Sequence, residues 1–231
     1  MAKKNKQIDT IRALITSVNP KSPISEQYRT IRTNIEFIMS DRNLKSIMIT
    51  SPEAEVGKST TVSNLAVTFA QQGKKVLLID ADLHKPSAYI TFHVENRVGL
   101  ANVLARQVDI NSALQRTQIN ENLTILTSGP IPPNPSELLG SEAFRLLIEN
   151  ASSRFDVILI DAPPILAVTD SQILSRTTDG VILVARANQT KKEELVKAKK
   201  LLDQVQANVL GVVLHGVDPK GTAYYYYYGA G

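Results

Sequence analysis

Cysteine and tryptophan are absent from this 231-residue chain, and aromatic residues make up only 5% of it. Without thiols there is no disulfide framework and no thiolate metal site. The three histidines, His84, His93 and His215, show no ligand spacing, and His215 is expected in a loop. No apolar run reaches the ~18 residues of a membrane span. The basic start, Met1-Ala2-Lys3-Lys4-Asn5-Lys6, leads into no apolar stretch, so a secretory leader is not expected. A cytoplasmic protein is the simplest expectation. Strong charge is lacking too. The net charge is +4, and residues 1–45 carry nine Lys/Arg against four Asp/Glu, so the rest of the chain is close to neutral. A nucleic-acid protein spreads a basic stripe over its fold, with aromatics for stacking. No nucleic-acid partner is therefore expected.

What is present is a core-forming pattern. The apolar fraction is 43%, enough for one α/β domain with an arm. Residues 1–20 lack periodicity and read as a basic flexible arm. The Ser22-Pro23 pair is a helix start signal. Ile24, Tyr28, Ile31, Ile35 and Ile38 then recur at helical spacing. From residue 46 short apolar runs fall at 46–50, 76–80, 123–127, 156–161, 180–185 and 209–214. Such runs suit strands buried on both faces. Helical stretches are expected at 58–72, near 99–106, and at 141–150, 170–177 and 190–206. The alternation predicts a mostly parallel sheet with helices on both faces. Gly129 to Pro135 is too rich in proline for helix or central strand and reads as a fixed loop.

The sharpest motif is Val56-Gly57-Lys58-Ser59-Thr60-Thr61, placed between a strand-like and a helix-like run. A helix N-terminus offers free N–H groups and a positive dipole end to phosphate. In a P-loop the lysine reaches the β/γ-phosphates and the hydroxyl takes Mg2+. Gly57, Lys58, Ser59 and Thr60 are thus the expected nucleotide-binding residues. The first glycine of the G-x-x-x-x-G-K-[ST] pattern is replaced by Pro52. Two other runs end in carboxylates, Asp80-Ala81-Asp82 and Asp161-Ala162-Pro163-Pro164. In open α/β sheets ligands bind at the carboxyl ends of strands. A P-loop enzyme also needs a strand-end aspartate for Mg2+.

These residues, with Ser25-Glu26-Gln27-Tyr28-Arg29-Thr30-Ile31-Arg32, the segment from Ser128 to Leu139, and the tyrosines Tyr224, Tyr225, Tyr226, Tyr227 and Tyr228, carry a resemblance. The sequence resembles the bacterial tyrosine kinases of the capsular and exopolysaccharide type, which are P-loop proteins. The resemblance implies a P-loop NTPase fold and an ATP-dependent protein-tyrosine kinase. It implies catalytic roles for Lys58, Asp80 and Asp82, and Mg2+ bound by Ser59, Asp82 and, through water, Asp161. It implies a ring-shaped homo-oligomer built on Glu26, Arg29 and Arg32, and autophosphorylation in trans on the five tail tyrosines. It further implies ATP and Mg2+ as cofactors, a separate transmembrane activator that sets polysaccharide chain length, and a protein-tyrosine phosphatase. Recruitment to the inner face of the plasma membrane through that activator is expected. The domain plan is an arm at 1–20, a kinase domain at 21–218 with its oligomerisation helix, and a tyrosine-rich tail at 219–231.

Two positions depart from the family pattern. Ala54-Glu55-Val56 stands where members read P-G-E before Gly-Lys, so Glu55 replaces a glycine. His84 stands where the D-x-D-x-R motif has arginine. Both point toward the alternative of a catalytically weak, nucleotide-binding scaffold. A second alternative, an ATPase switch, would carry a lysine early in the loop, where this chain has Ser51, Pro52 and Glu53.

Overall fold

Every residue of Ser46–Thr50 (β1), Val76–Asp80 (β2) and Val157–Asp161 (β5) is buried. These are the apolar runs without polar alternation, and they form the middle of the sheet. The computed structural model describes residues 14–217. Seven strands run in the order β3-β4-β2-β5-β1-β6-β7, completed by Leu114–Arg116 (β3), Leu123–Leu126 (β4), Gly180–Arg186 (β6) and Val209–His215 (β7). All neighbours are parallel except β3 and β4. The predicted strands are present, and β3 is an addition. It is three residues long and incompletely buried, so it leaves no apolar run to read.

Strand side chains alternate between faces. Ile47 and Ile49 enter one core and Met48 the other. The first core is covered by Pro23–Arg42 (α2) and Lys58–Gln71 (α3). The second is covered chiefly by Glu142–Arg154 (α8), Asp170–Ser175 (α9) and Lys192–Gln204 (α10). Short helices at Ile15–Val18 (α1), Ala88–Phe92 (α4), Leu100–Leu104 (α5), Ile110–Ala113 (α6) and Pro135–Leu139 (α7) complete the layers. Among the described residues no helix is long and apolar enough to cross a membrane.

α2 starts where the sequence signalled. Ser22 caps it by accepting from the Ser25 N–H at 3.1 Å, with Pro23 in the first turn. Its buried stripe is Tyr28, Ile35 and Met39, while Ile24 stays about half exposed. The expected apolar face is therefore rotated toward Met39, and Ile24 is left on an open flank.

Two readings need correction. Residues 14–20 were expected in the arm, yet Leu14 and Thr16 are buried and α1 packs on α3. The Thr16 backbone N–H and hydroxyl donate to Asn64 Oδ1 at 3.1 and 2.9 Å. Residues 1–13 lie outside the described residues, as do 218–231 with the tyrosine cluster. The proline-rich loop also ends one residue early. Pro135 opens α7, because a first-turn proline lacks only an N–H that the helix does not use. Gly129 in that loop has φ of +75°, and a Cβ on Gly99 would collide with the Thr127–Gly129 backbone. The segment's contribution seen here is close packing.

Candidate active site

The strand order places three loops side by side. β5 lies between β2 and β1, and Asp80 and Asp161 are direct register partners across β2 and β5. Ile49, near the end of β1, is also paired with Asp161. The loop from Ser51 to Gly57 thus rises beside both acidic strand ends.

That loop has the shape of a phosphate cradle. Gly57 caps α3 at φ of +97° and carries no side chain over the helix N-terminus. A Cβ there would collide with the His215 imidazole. Lys58 is buried, and its Nζ lies 2.5 Å from Asp161 Oδ1 and 3.7 Å from Asp82 Oδ2. It also lies 3.3 Å from Ser59 Oγ. Burial pushes the Lys58 ammonium down, but the charges of Asp161 and Asp82 outweigh this and raise its pKa above the usual lysine value. The lysine is held as a cation where a polyanion would bind.

Asp80 is fully buried and turned to its own loop. Its Oδ2 accepts the Ser87 and Ala88 N–H groups at 2.9 Å each, and its Oδ1 accepts from the Asp82 N–H at 3.3 Å. Burial and the nearby Asp161 charge push its pKa up to about 7, against the lowering effect of the N–H donors and Lys58. Asp82 Oδ1 accepts from the Lys85 N–H at 3.0 Å, which leaves Oδ2 toward Lys58.

Lys58 and Asp82 open on a cavity of about 490 Å³, lined also by Glu55, Ser59, Thr60, His84, Arg186 and His215 among others, with Asp80 and Asp161 buried behind it. The available donors are buried carboxylate oxygens and a serine hydroxyl, a hard-oxygen set that fits Mg2+. Among the described residues no three acidic or histidine side chains close on one centre. Lys58 stands between Asp161 and Asp82 instead. Ser59, Asp82 and Asp161 are the oxygen donors nearest Lys58 that could take part in holding a metal.

The two departures from the family pattern are both visible. Glu55 sits at φ of +62°, the left-handed region that its glycine counterpart enters freely. Arg186 Nη1 donates to the Glu55 carbonyl at 3.2 Å and helps hold it there. His84 Nε2 lies 2.9 Å from Asp170 Oδ2, and Ser136 Oγ donates to Asp170 Oδ1 at 2.5 Å. The buried Asp170 thus fixes the histidine at the cavity rim.

Sequence reasoning missed Arg186, Asp170 and His215. His215 is not in a loop. It is the last residue of β7, with Nδ1 3.5 Å from Thr61 Oγ1. Burial, then the Arg186 guanidinium, lowers its pKa below the usual histidine value. The available signal was position, since Arg186 and His215 both end strands at the ligand-binding edge.

Glu26, Arg29 and Arg32 lie on α2, away from this cavity. Glu26 and Arg29 pair at 2.7 Å. Arg32 turns inward and its Nη1 donates to the Thr68 carbonyl at 3.2 Å.

A family model described as an AAA domain matches residues 44–211. Tyrosine-protein kinase YwqD of Bacillus subtilis is 49% identical over 227 residues, covering 98% of this chain and 95% of that protein. The putative tyrosine-protein kinase CapB of Staphylococcus aureus is 42% identical, covering 99% of each. The solved kinase domain of Escherichia coli tyrosine kinase ETK superposes with a TM-score of 0.87 at 34% identity, covering 93% of this chain and 84% of that one.

Proposed function

We propose, from the premise that this chain belongs to the bacterial tyrosine kinases of the capsular and exopolysaccharide type and carries their AAA domain, that it transfers the γ-phosphoryl group of ATP in trans to its own C-terminal tyrosines. The observation that carries the reading is the buried Lys58, charged and held between Asp161 and Asp82 at the N-terminus of α3. In the transfer, the tyrosine oxygen bonds to the γ-phosphorus, the bond to the bridging oxygen of ADP breaks, and the phenolic proton leaves. The N–H groups at the start of α3 and the Lys58 ammonium meet the β/γ-phosphates. Asp80, at the end of β2 beside Asp82, is the proton acceptor in this reading. Ser59, Asp82 and Asp161 would hold Mg2+, which would neutralise phosphate charge.

The acceptors are Tyr224 to Tyr228. Tyr224 follows β7 by about nine residues, which at ~3.3 Å per residue spans roughly 30 Å. That is long enough to reach a neighbour's cavity. The neighbour is a second copy in a ring, joined through the face of α2 that carries the exposed Glu26 and the partly exposed Arg29, with Arg32 beside it. Phosphorylation then loosens the ring and regulates polysaccharide synthesis. A separate transmembrane activator recruits the kinase to the inner face of the plasma membrane, and a tyrosine phosphatase reverses the modification.

The Glu55 carboxylate on the cavity wall favours a second reading, a weakly catalytic scaffold of the same machinery. Incubation with Mg-ATP, alone and fused to the cytoplasmic tail of a candidate activator, separates the two. A kinase gains phosphotyrosine in at least one form, and a scaffold gains it in neither.

A further inference from the structure

β7 is an edge strand with no partner on its outer side among the described residues. Edges of this kind invite pairing, and proteins commonly blunt them with charge, proline or a bulge. β7 has no lysine, acid or proline. Its one irregularity lies opposite Val181 and Ile182, leaving Gly211 to His215 in regular register. Val212 and Leu214 are each more than half exposed. Beside the strand, α2 and β7 enclose an apolar groove of about 640 Å³, with walls that include Ile24, Ile31 and Ile38 of the helix and Leu210 and Val213 of the strand.

The chain itself supplies an occupant. Val217 lines the groove and is the last described residue. The next four residues, Asp218-Pro219-Lys220-Gly221, have proline second and glycine fourth, which favours a type I turn. Then come Thr222, Ala223 and five tyrosines, a run of strand formers. This run has the same length as β7, seven residues. A reversal at 218–221 would return it antiparallel along the open edge. Successive side chains then point to opposite faces. Tyrosines on one face fill the groove, where Thr30 and Asn34 offer polar partners to their hydroxyls. Tyrosines on the other face would lie over Val212 and Leu214, which also border the groove. A continuous tyrosine run, rather than an alternating one, suits a strand with apolar neighbours on both faces.

We propose that residues 222–228 dock in cis on β7 as an eighth strand and lie in the groove under α2. The docking itself does not depend on kinase activity. Its consequence rests on the proposed role of the tail tyrosines as acceptors. While docked, they are withheld from a neighbour's cavity. A phosphate adds ~1.5–2 negative charges, which an apolar groove cannot solvate, so a tail once phosphorylated cannot return.

The test uses unphosphorylated full-length protein without nucleotide, diluted until light scattering shows a monomer, beside a chain ending at Val217. Hydrogen exchange should be slowed at least tenfold across 222–228, and removing the tail should speed exchange in β7. Tyrosine emission gives a second readout, since the chain has no tryptophan and five of its seven tyrosines are in the tail. Acrylamide quenching should rise in Ile24→Glu and Val212→Glu, which place charge in the groove and on the strand. Exchange of 222–228 at the rate of an unstructured peptide would overturn the proposal. So would protection that disappears on dilution, which would make the occupant a second copy.

Discussion

Asp161 Oδ1 holds the Lys58 ammonium at 2.5 Å, in a position where both side chains are nearly inaccessible to water. Breaking a buried pair by removing one partner costs about 3–5 kcal/mol. Lys58→Met should therefore have two effects. Phosphotyrosine formation should vanish, and the melting temperature of the nucleotide-free protein should fall. Adding Asp161→Asn to the same chain should recover part of the stability and none of the activity. Equal melting temperatures for wild type and Lys58→Met would contradict the pairing.

Asp80 predicts a pH dependence. Its folded pKa of about 7 lies above its ordinary 3.8. Between these values the folded protein keeps a proton that the unfolded chain has released. Stability from this group is therefore full below about pH 4 and declines as pH rises to about 7. Denaturant titrations in EDTA should show a shallower decline over this window for Asp80→Asn than for wild type. Unchanged slopes would show that Asp80 is not the group that titrates.

Glu55 predicts a gain of function. A non-glycine residue in the left-handed region costs roughly 1–2 kcal/mol, and Glu55 lines the cavity proposed to take a polyanion. Glu55→Gly removes both the strain and the carboxylate, but the backbone strain is present without ligand and bears on folding, so the gain in affinity comes from loss of the carboxylate. Since ~1.4 kcal/mol corresponds to tenfold in affinity, ATP should bind several-fold more tightly by calorimetry. Equal or weaker binding would show that the Arg186 contact has adapted the loop to glutamate.

Assembly separates the roles of three charged residues. Glu26→Ala with Arg29→Ala should convert a ring to monomers by light scattering with only a small fall in melting temperature, because Glu26 is exposed and Arg29, partly exposed, gives up one bond to the Pro20 carbonyl. Arg32→Ala also removes a hydrogen bond to Thr68, at about 0.5–1.5 kcal/mol for a typical bond, so it should weaken both the ring and the fold. A ring that persists in the double variant would place the interface elsewhere.

Much of the candidate site was legible because it is written in local runs. Strand, loop and Gly57-Lys58-Ser59 are contiguous, and Asp80 and Asp161 each end an apolar run. What could not be read was convergence from distant strands. His215 reaches Gly57 only because β6 and β7 continue the sheet beyond β1. Asp170 meets His84 across 86 positions of sequence. α1 escaped notice because four residues carry no periodicity, and its burial depends on Asn64. Glu55 was legible as a departure, while its left-handed backbone was seen only in the fold.

Phosphopeptide mapping after incubation with Mg-ATP and an activator fusion tests the central claim most directly. The account predicts phosphate on Tyr224 to Tyr228 and none in Lys58→Met. Tyr28 is only 6% exposed, on the buried face of α2, and should remain unmodified. Phosphate found mainly on Tyr28 or Tyr89, or unmodified tail tyrosines under every condition, would contradict it.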